Sequence, residues 1–123
     1  MILRVEFQFT AAHRLPYYEG PCFHTHGHNY KLLVFAEGPV DPKTGLSIDF
    51  LEVKKLVHEH VLRDIDHNDL NQVLDNPTAE NVVMWMWDRL EPQLPGLKEM
   101  QLYETNDSGV IYRGEPLGEN GSN

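Results

Sequence analysis

The chain is organised around one nine-residue stretch, Cys22-Phe23-His24-Thr25-His26-Gly27-His28-Asn29-Tyr30. This stretch contains three of the seven histidines and the only cysteine. The residues that follow, YKLLVFA at 30–36, are typical of a β-strand. On such a strand His26 and His28 share one face, with their Cα atoms ~6.6 Å apart, about two strand rises. Two imidazoles at that spacing are able to bind one Zn²⁺ ion.

The first predicted strand, residues 2–13, supplies a third candidate ligand. Its apolar residues occupy alternate positions, and His13 ends this apolar face, where a buried imidazole needs a polar partner. Pairing of the two strands would bring His13 beside His26 and His28. Three histidines without a fourth protein ligand indicate an open, catalytic zinc site. The alternative is that His26 and His28 are only two polar residues on an exposed strand. We interpret His24 as a loop residue.

Length and composition limit the class of protein. A chain of 123 residues with 41% hydrophobic residues predicts one globular domain. We predict no membrane span and no signal peptide, because no apolar run is long enough. A single cysteine predicts a reducing, cytoplasmic location. A net charge of −9 argues against a nucleic-acid partner, although Arg14 or Lys31 could hold the phosphates of a small substrate.

The remaining elements follow from periodicity and turn residues. The second strand is predicted to end near Glu37 and the turn-rich segment 38–45 to follow it. Asp49 is the predicted N-cap of a first helix, and Thr78 that of a second. The buried face of the first helix is predicted to hold Phe50, Val53, Leu56, Val57 and Val61. The buried side of the second is predicted to hold Val82, Trp85, Met86, Arg89 and Leu90.

A third strand is predicted around 100–105, a hairpin turn at 106–109 and a fourth strand at 110–113. The order ββααββ predicts an α+β fold, a four-stranded antiparallel sheet with two helices on one face. Residues 1–115 form the predicted catalytic domain and 116–123 a flexible tail. The second strand is apolar at both parities over 32–35, which predicts burial of both sheet faces and hence a homo-oligomer.

Three further candidates carry proton chemistry. Cys22, four positions before His26, is available as a base or nucleophile, or is simply a small buried hydrophobe. The Asp66-His67 pair could exchange protons near neutral pH, or belong to a solvated loop. Glu104 follows an apolar strand face and could accept paired N–H donors from a heterocycle. Its alternative is an ion pair with Arg113 across the hairpin.

The sequence resembles the 6-pyruvoyl-tetrahydropterin synthase / 6-carboxytetrahydropterin synthase family over nearly the whole chain, from Phe9 to Glu115. The resemblance rests on several ordered motifs rather than on one. These motifs are Phe9-Thr10-Ala11-Ala12-His13, Cys22 with His26-Gly27-His28, Ile48-Asp49-Phe50, Asp66-His67 with Leu70-Asn71, Pro77-Thr78-Ala79-Glu80-Asn81, Glu104-Thr105 and Tyr112-Arg113-Gly114-Glu115.

The resemblance implies a tunnelling fold in which three subunits join their sheets into a barrel and two trimers stack, with active sites between subunits. It implies Zn²⁺ as cofactor and assigns roles to individual residues. These are zinc binding for His13, His26 and His28, proton transfer for Cys22, Asp66, His67 and Glu104, and pterin binding for Glu104 and Thr78. The Asp66-His67 pair would then serve the zinc site of a neighbouring subunit.

The resemblance also implies the substrate 7,8-dihydroneopterin triphosphate and leaves the product open. The spacing of Cys22 and His26, the short chain and Asn76-Pro77-Thr78 favour the carboxy branch, which releases acetaldehyde and triphosphate and leads to queuosine and other deazapurines. The alternatives are 6-pyruvoyl-tetrahydropterin synthesis and a non-enzymatic zinc- or pterin-binding module. The resemblance gives no role to His24, which departs from the motif.

Overall fold

Two long strands on either side of the histidine-rich loop form the centre of the fold. In the computed structural model, which describes residues 1–118, β1 spans Ile2–His13 and β2 spans His26–Glu37. They pair antiparallel over their full length, with His13 opposite His26. The residues of β1 alternate between exposed and buried, as the sequence pattern predicted. The predicted pairing of the two strands is confirmed. The His13–His26 pair brings together the two ends of the loop formed by residues 14–25.

The sheet has five strands rather than the predicted four. β3 spans Asn68–Asp69, β4 spans Leu97–Thr105 and β5 spans Ser108–Tyr112. The strand order is β3-β1-β2-β4-β5, and β3 runs parallel to β1, so the sheet is mixed. The four long strands are antiparallel, as predicted. The prediction missed β3 because two residues are too few to show an alternating pattern.

The first helical segment is longer and less regular than its pattern indicated. α1 spans Phe50–Val57, a π-helical turn spans His58–Leu62, and α2 spans Arg63–Ile65. The carboxylate of Asp49 accepts a hydrogen bond from the Leu51 N–H at 2.9 Å, which confirms the predicted cap. Val53, Val57 and Val61 are buried as predicted. Phe50 is 53% exposed, because it lies at the first position of α1, before the buried face begins.

The second predicted helix is α3, which spans Ala79–Leu90. Its buried residues include Val82, Met86 and Leu90, as predicted, together with Trp87. The prediction that Arg89 faces the core is wrong, since its guanidinium is partly exposed. That guanidinium donates hydrogen bonds to the His60 carbonyl at 2.7 Å and to Asp64 at 2.6 Å. Arg89 thus ties α3 to the π-helical turn instead of filling the core.

The helices cover one face of the sheet, as predicted. The core joins the inward side chains of the long strands, among them Phe7, Leu32 and Leu102, to those of α1 and α3. On the opposite face Phe35 is half-buried in the single chain and Ile111 is 55% exposed. Of the predicted tail, 116–118 are exposed and lack regular structure, and 119–123 lie outside the described residues. Within 1–118 no helix has the length and apolar character needed to span a bilayer.

Candidate functional site

Three histidine side chains converge where the β1–β2 ladder ends. His13 and His26 are the last pair of this ladder, and His28 lies opposite Ala11, so all three share the face that packs on the helices. Their nearest ring nitrogens all lie within 4.8 Å of one another. The Nε2 atoms of His13 and His26 are 3.0 Å apart. The cluster predicted from the sequence is therefore formed within a single chain.

Backbone carbonyls hold two of these rings by their other nitrogen. The Nδ1–H of His13 donates to the Pro77 carbonyl at 2.7 Å. The Nδ1–H of His26 donates to the His24 carbonyl, also at 2.7 Å. A ring held in this way presents an unprotonated Nε2, because a neutral imidazole carries only one N–H. His24 therefore contributes through its backbone, a role that its side chain did not reveal.

Burial differs across the cluster. His13 is fully buried, whereas the His28 side chain is 20% exposed. Burial lowers the pKa of His28; the Glu104 carboxylate opposes this effect, and the neighbouring imidazoles add to it. Burial, with a contribution from Glu104, raises the pKa of Tyr30, whose hydroxyl lies 3.3 Å from His13 Nδ1. Near neutral pH the cluster therefore includes a neutral His28 imidazole beside a neutral Tyr30 phenol.

Glu104 reaches the cluster from β4. One of its carboxylate oxygens lies 3.3 Å from His13 Nε2 and 3.8 Å from His28 Nε2. The alternative interpretation, an ion pair with Arg113, is wrong: Arg113 donates to Glu99 at 2.8 Å. The register of the β4–β5 hairpin explains why Arg113 contacts Glu99 rather than Glu104. Met100 pairs with Tyr112, and this pairing brings Arg113 beside Glu99.

The histidine cluster fits a metal ion. With both Nδ1 protons donated to carbonyls, the lone pairs of His13 Nε2 and His26 Nε2 face each other at 3.0 Å. Two lone pairs at that distance need a cation or proton between them. Ligands of one tetrahedral Zn²⁺ ion, each about 2.0–2.1 Å from it, lie about 3.3 Å from one another. Carbonyl-held rings are also the usual outer support of zinc-binding histidines.

Cys22 lies on the loop that joins β1 and β2, the two strands that carry the histidine cluster. It is half-buried within a 3₁₀ turn at Pro21–Phe23 and forms no disulfide. The Leu15 N–H donates to the Cys22 carbonyl at 2.9 Å, which ties this turn to the start of the loop. Among the described residues, the group of metal-binding geometry does not include its sulfur. The predicted proton-transfer role stays a prediction.

The Asp66-His67 pair directly precedes β3, which flanks β1 on the edge opposite to β2. The Asp66 carboxylate is 2.9 Å from His67 Nδ1 and accepts a hydrogen bond from the Thr10 N–H at 3.1 Å. His67 adopts a left-handed backbone conformation, with φ of 60°, and its side chain is 80% exposed. The predicted carboxylate–imidazole contact is thus formed. This imidazole faces solvent in the single chain, so a role in proton transfer stays a prediction.

Thr78 has a structural role as the N-cap of α3. Its hydroxyl oxygen accepts a hydrogen bond from the Asn81 N–H at 3.1 Å, which confirms the predicted cap. The hydroxyl hydrogen remains available to a ligand. Contact with a pterin stays a prediction.

The sequence interpretation missed the contributions of Tyr30 and Pro77. Tyr30 stacks on Phe9 with ring centroids 4.8 Å apart, and both continue the histidine face along the strands. Its position two residues after His28 was the available signal. No feature of the sequence indicated the Pro77 carbonyl, because Pro77 lies 64 positions from His13 along the chain.

Comparison with known proteins identifies the family of this chain. The sequence model of the family described as PTPS, 6-pyruvoyl tetrahydropterin synthase, matches residues 2–115. The chain belongs to this family. In structure it resembles the 6-pyruvoyl tetrahydropterin synthase of Caenorhabditis elegans, with a TM-score of 0.85 and 28% identity over 94% of this chain and 96% of that one.

Relatives within the PTPS family carry different names. The chain is 41% identical to the dihydroneopterin monophosphate aldolase of Pyrococcus furiosus, over 83% of this chain and 88% of the relative. It is 34% identical to the 6-carboxy-5,6,7,8-tetrahydropterin synthase of Synechocystis, over 90% and 92%. It is 37% identical to the human 6-pyruvoyl tetrahydrobiopterin synthase, over 73% and 67%. The family is therefore one of pterin enzymes whose products differ.

Proposed function

We propose that this protein is a zinc-dependent lyase that converts 7,8-dihydroneopterin triphosphate to 6-carboxy-5,6,7,8-tetrahydropterin, releasing acetaldehyde and triphosphate. The observation that carries the proposal is the cluster of His13, His26 and His28, with two rings held by carbonyls and a carboxylate beside them. The reaction would serve deazapurine biosynthesis, including that of queuosine, in the cytoplasm.

Each polar group has one proposed task. The three histidines hold Zn²⁺, which when bound supplies Lewis-acid polarisation of substrate oxygens. Glu104 accepts hydrogen bonds from the N–H groups of the pterin ring, and Thr78 donates its free hydroxyl hydrogen to the ring. Cys22 takes up and returns protons at the substrate side chain, and the Asp66-His67 pair exchanges protons with solvent.

We propose further that the working enzyme is a homo-oligomer, a trimer or hexamer, with sites between subunits. Two observations support this proposal. The His67 imidazole is 80% exposed and lies apart from the histidines of its own chain. The sheet face opposite the helices leaves Ile111 55% exposed and Phe35 half-buried. Joining subunits would cover this face and give His67 a site to serve.

The second candidate is an aldolase that acts on dihydroneopterin monophosphate. The 41% identity to the Pyrococcus furiosus relative favours it. Both reactions cleave a carbon–carbon bond of the pterin side chain, so the same histidines, Cys22 and Glu104 would serve either. The substrates differ in the number of phosphates. Formation of the 6-pyruvoyl product and binding without turnover are the other outcomes of the same test.

The test is mass spectrometry of the products after zinc-loaded protein is incubated with the triphosphate or the monophosphate in separate reactions. Carboxytetrahydropterin and acetaldehyde from the triphosphate would support the proposal. A shortened pterin from the monophosphate alone would establish the aldolase instead. Glu104→Gln is the matched variant, because it keeps the side-chain shape but removes the charge. It should raise the KM for the pterin while the protein retains its zinc.

A further inference from the structure

The buried ligand His13 depends on a turn that precedes α3. Its ring is fixed by one strong contact, the 2.7 Å hydrogen bond from Nδ1–H to the Pro77 carbonyl. Because His13 is fully buried, no solvent can replace this acceptor, and the other group at Nδ1, the Tyr30 hydroxyl, is farther away at 3.3 Å. The direction in which His13 Nε2 points is therefore set mainly by the orientation of the Pro77 peptide group.

That peptide group belongs to a tight turn. The Thr78 N–H donates to the Asn76 carbonyl at 2.9 Å, a hydrogen bond that spans two residues and closes the turn around Pro77. The ring of Pro77 fixes one of the two backbone dihedrals there. The other dihedral, which orients the Pro77 carbonyl, is held by the hydrogen bond to Asn76.

Asn81 braces this turn from the first turn of α3. Its side-chain Nδ2–H₂ donates to the same Asn76 carbonyl at 2.9 Å, and its backbone N–H donates to the Thr78 hydroxyl at 3.1 Å. At this position a helix usually gains more from Glu or Gln, which accept the N–H of the cap residue. Asn81 donates instead, so its side chain supports the turn rather than the helix end.

We propose that Asn81 is a positioning residue for the metal ligand His13, acting through the Asn76-Pro77-Thr78 turn. The inference builds on the proposed zinc site. A carboxylate at position 81 would be repelled by the Asn76 carbonyl and would compete with it for the Thr78 N–H. The turn would then open, and the Pro77 carbonyl would leave the His13 ring.

The decisive variant is Asn81→Asp, which keeps the size of the side chain. The zinc dissociation constant, measured by competition with a chromophoric chelator, should rise about 10-fold, the lower end of the range for outer-shell partners. The melting temperature of the metal-free protein should not fall, because an acidic residue is favourable near a helix N-terminus. Asn81→Ala removes the donor without adding charge and should also raise the zinc dissociation constant.

Asn68→Asp is the matched control. The Asn68 side chain also donates to a backbone carbonyl, that of Asp64 at 3.1 Å, but this contact does not lead to His13. The control adds the same charge and should change the zinc dissociation constant by no more than about twofold, the scale of a weakly coupled surface charge.

A second measurement needs no metal. Long-range ¹H–¹⁵N spectra of the metal-free protein report which ring nitrogen of His13 carries the hydrogen, and Asn81→Asp should reduce the share of the Nδ1–H form. Unchanged zinc affinity and an unchanged His13 tautomer in both Asn81 variants would overturn the proposal. Weaker zinc binding with a lower melting temperature and an unchanged tautomer would also overturn it, since Asn81 would then act only on the fold. Failure of the wild-type protein to bind zinc would refute the proposed metal site, and the tautomer would still decide the role of Asn81.

Discussion

Removal of one histidine from the cluster should abolish stabilisation of the fold by zinc. The wild-type cluster has His13 and His26 nitrogens 3.0 Å apart, close to the spacing of about 3.3 Å between ligands of one tetrahedral Zn²⁺ ion. Little rearrangement is needed, so the binding free energy should appear as stability of the native state. His26→Ala leaves two ligands and should lose nearly all of it.

The magnitude follows from mass action. At a free zinc concentration 100 times the dissociation constant, the wild-type protein gains about 2.7 kcal/mol, and a 100-fold loss of affinity reduces this gain to about 0.4 kcal/mol. For a domain of this size, about 2.7 kcal/mol corresponds to a rise in melting temperature of roughly 10 °C. The variant should therefore show a rise of roughly 2 °C or less under the same conditions.

The assay is thermal unfolding with buffered zinc and with chelator, at one fixed protein concentration. His24→Ala is the matched control, because His26 contacts the His24 carbonyl, which this substitution keeps. The control should retain the full zinc response. An equal zinc response in His26→Ala and wild type would refute the assignment of the site. Loss of the response in both variants would show instead that the loop binds zinc through its imidazoles without the buried cluster.

Three further predictions concern single groups. Burial lowers the pKa of His28, so the unfolded chain binds more protons than the native one. The unfolding free energy of the metal-free protein should therefore fall as the pH drops through about 6.5. Urea titrations should show a weaker pH dependence for His28→Gln. Cys22→Ala should abolish turnover of the pterin substrate without changing zinc content, as metal analysis and product assays would report; full turnover would exclude the proposed role. Met86→Ala should cost about 2–5 kcal/mol in denaturant unfolding, because the side chain is fully buried, and a cost below about 1 kcal/mol would contradict the described core.

Local pattern was sufficient to predict the centre of the fold. The alternation along β1 and β2 fixes which residues face the helices, and their antiparallel pairing was predictable because the two strands follow one another in the chain. The cap at Thr78 was predictable for the same reason, since it depends on residues a few positions apart. The histidine cluster follows directly from these local features, because His13 and His26 end the same ladder.

Features that depend on distant contacts were not predictable. β3 exists because the backbone of 66–69 meets β1, and the His67 N–H donates to the Thr10 carbonyl at 2.6 Å. The π-helical turn at His58–Leu62 has no signature in the apolar pattern, which continues through it. The alternative ion pair between Glu104 and Arg113 was wrong because the partner of Arg113 depends on the register of the β4–β5 hairpin.

The left-handed backbone at His67 carries a cost in stability beside the proposed role of its imidazole in proton transfer. A residue other than glycine in the left-handed conformation costs on the order of 1–3 kcal/mol, and glycine would avoid most of this cost. Selection for heat resistance alone would therefore favour glycine at this position, although the exposed imidazole would be lost. In a laboratory evolution experiment for thermostability without a requirement for turnover, position 67 should be among the first to drift away from histidine. Ancestral or engineered variants that keep histidine there would indicate that turnover, rather than folding, was under selection.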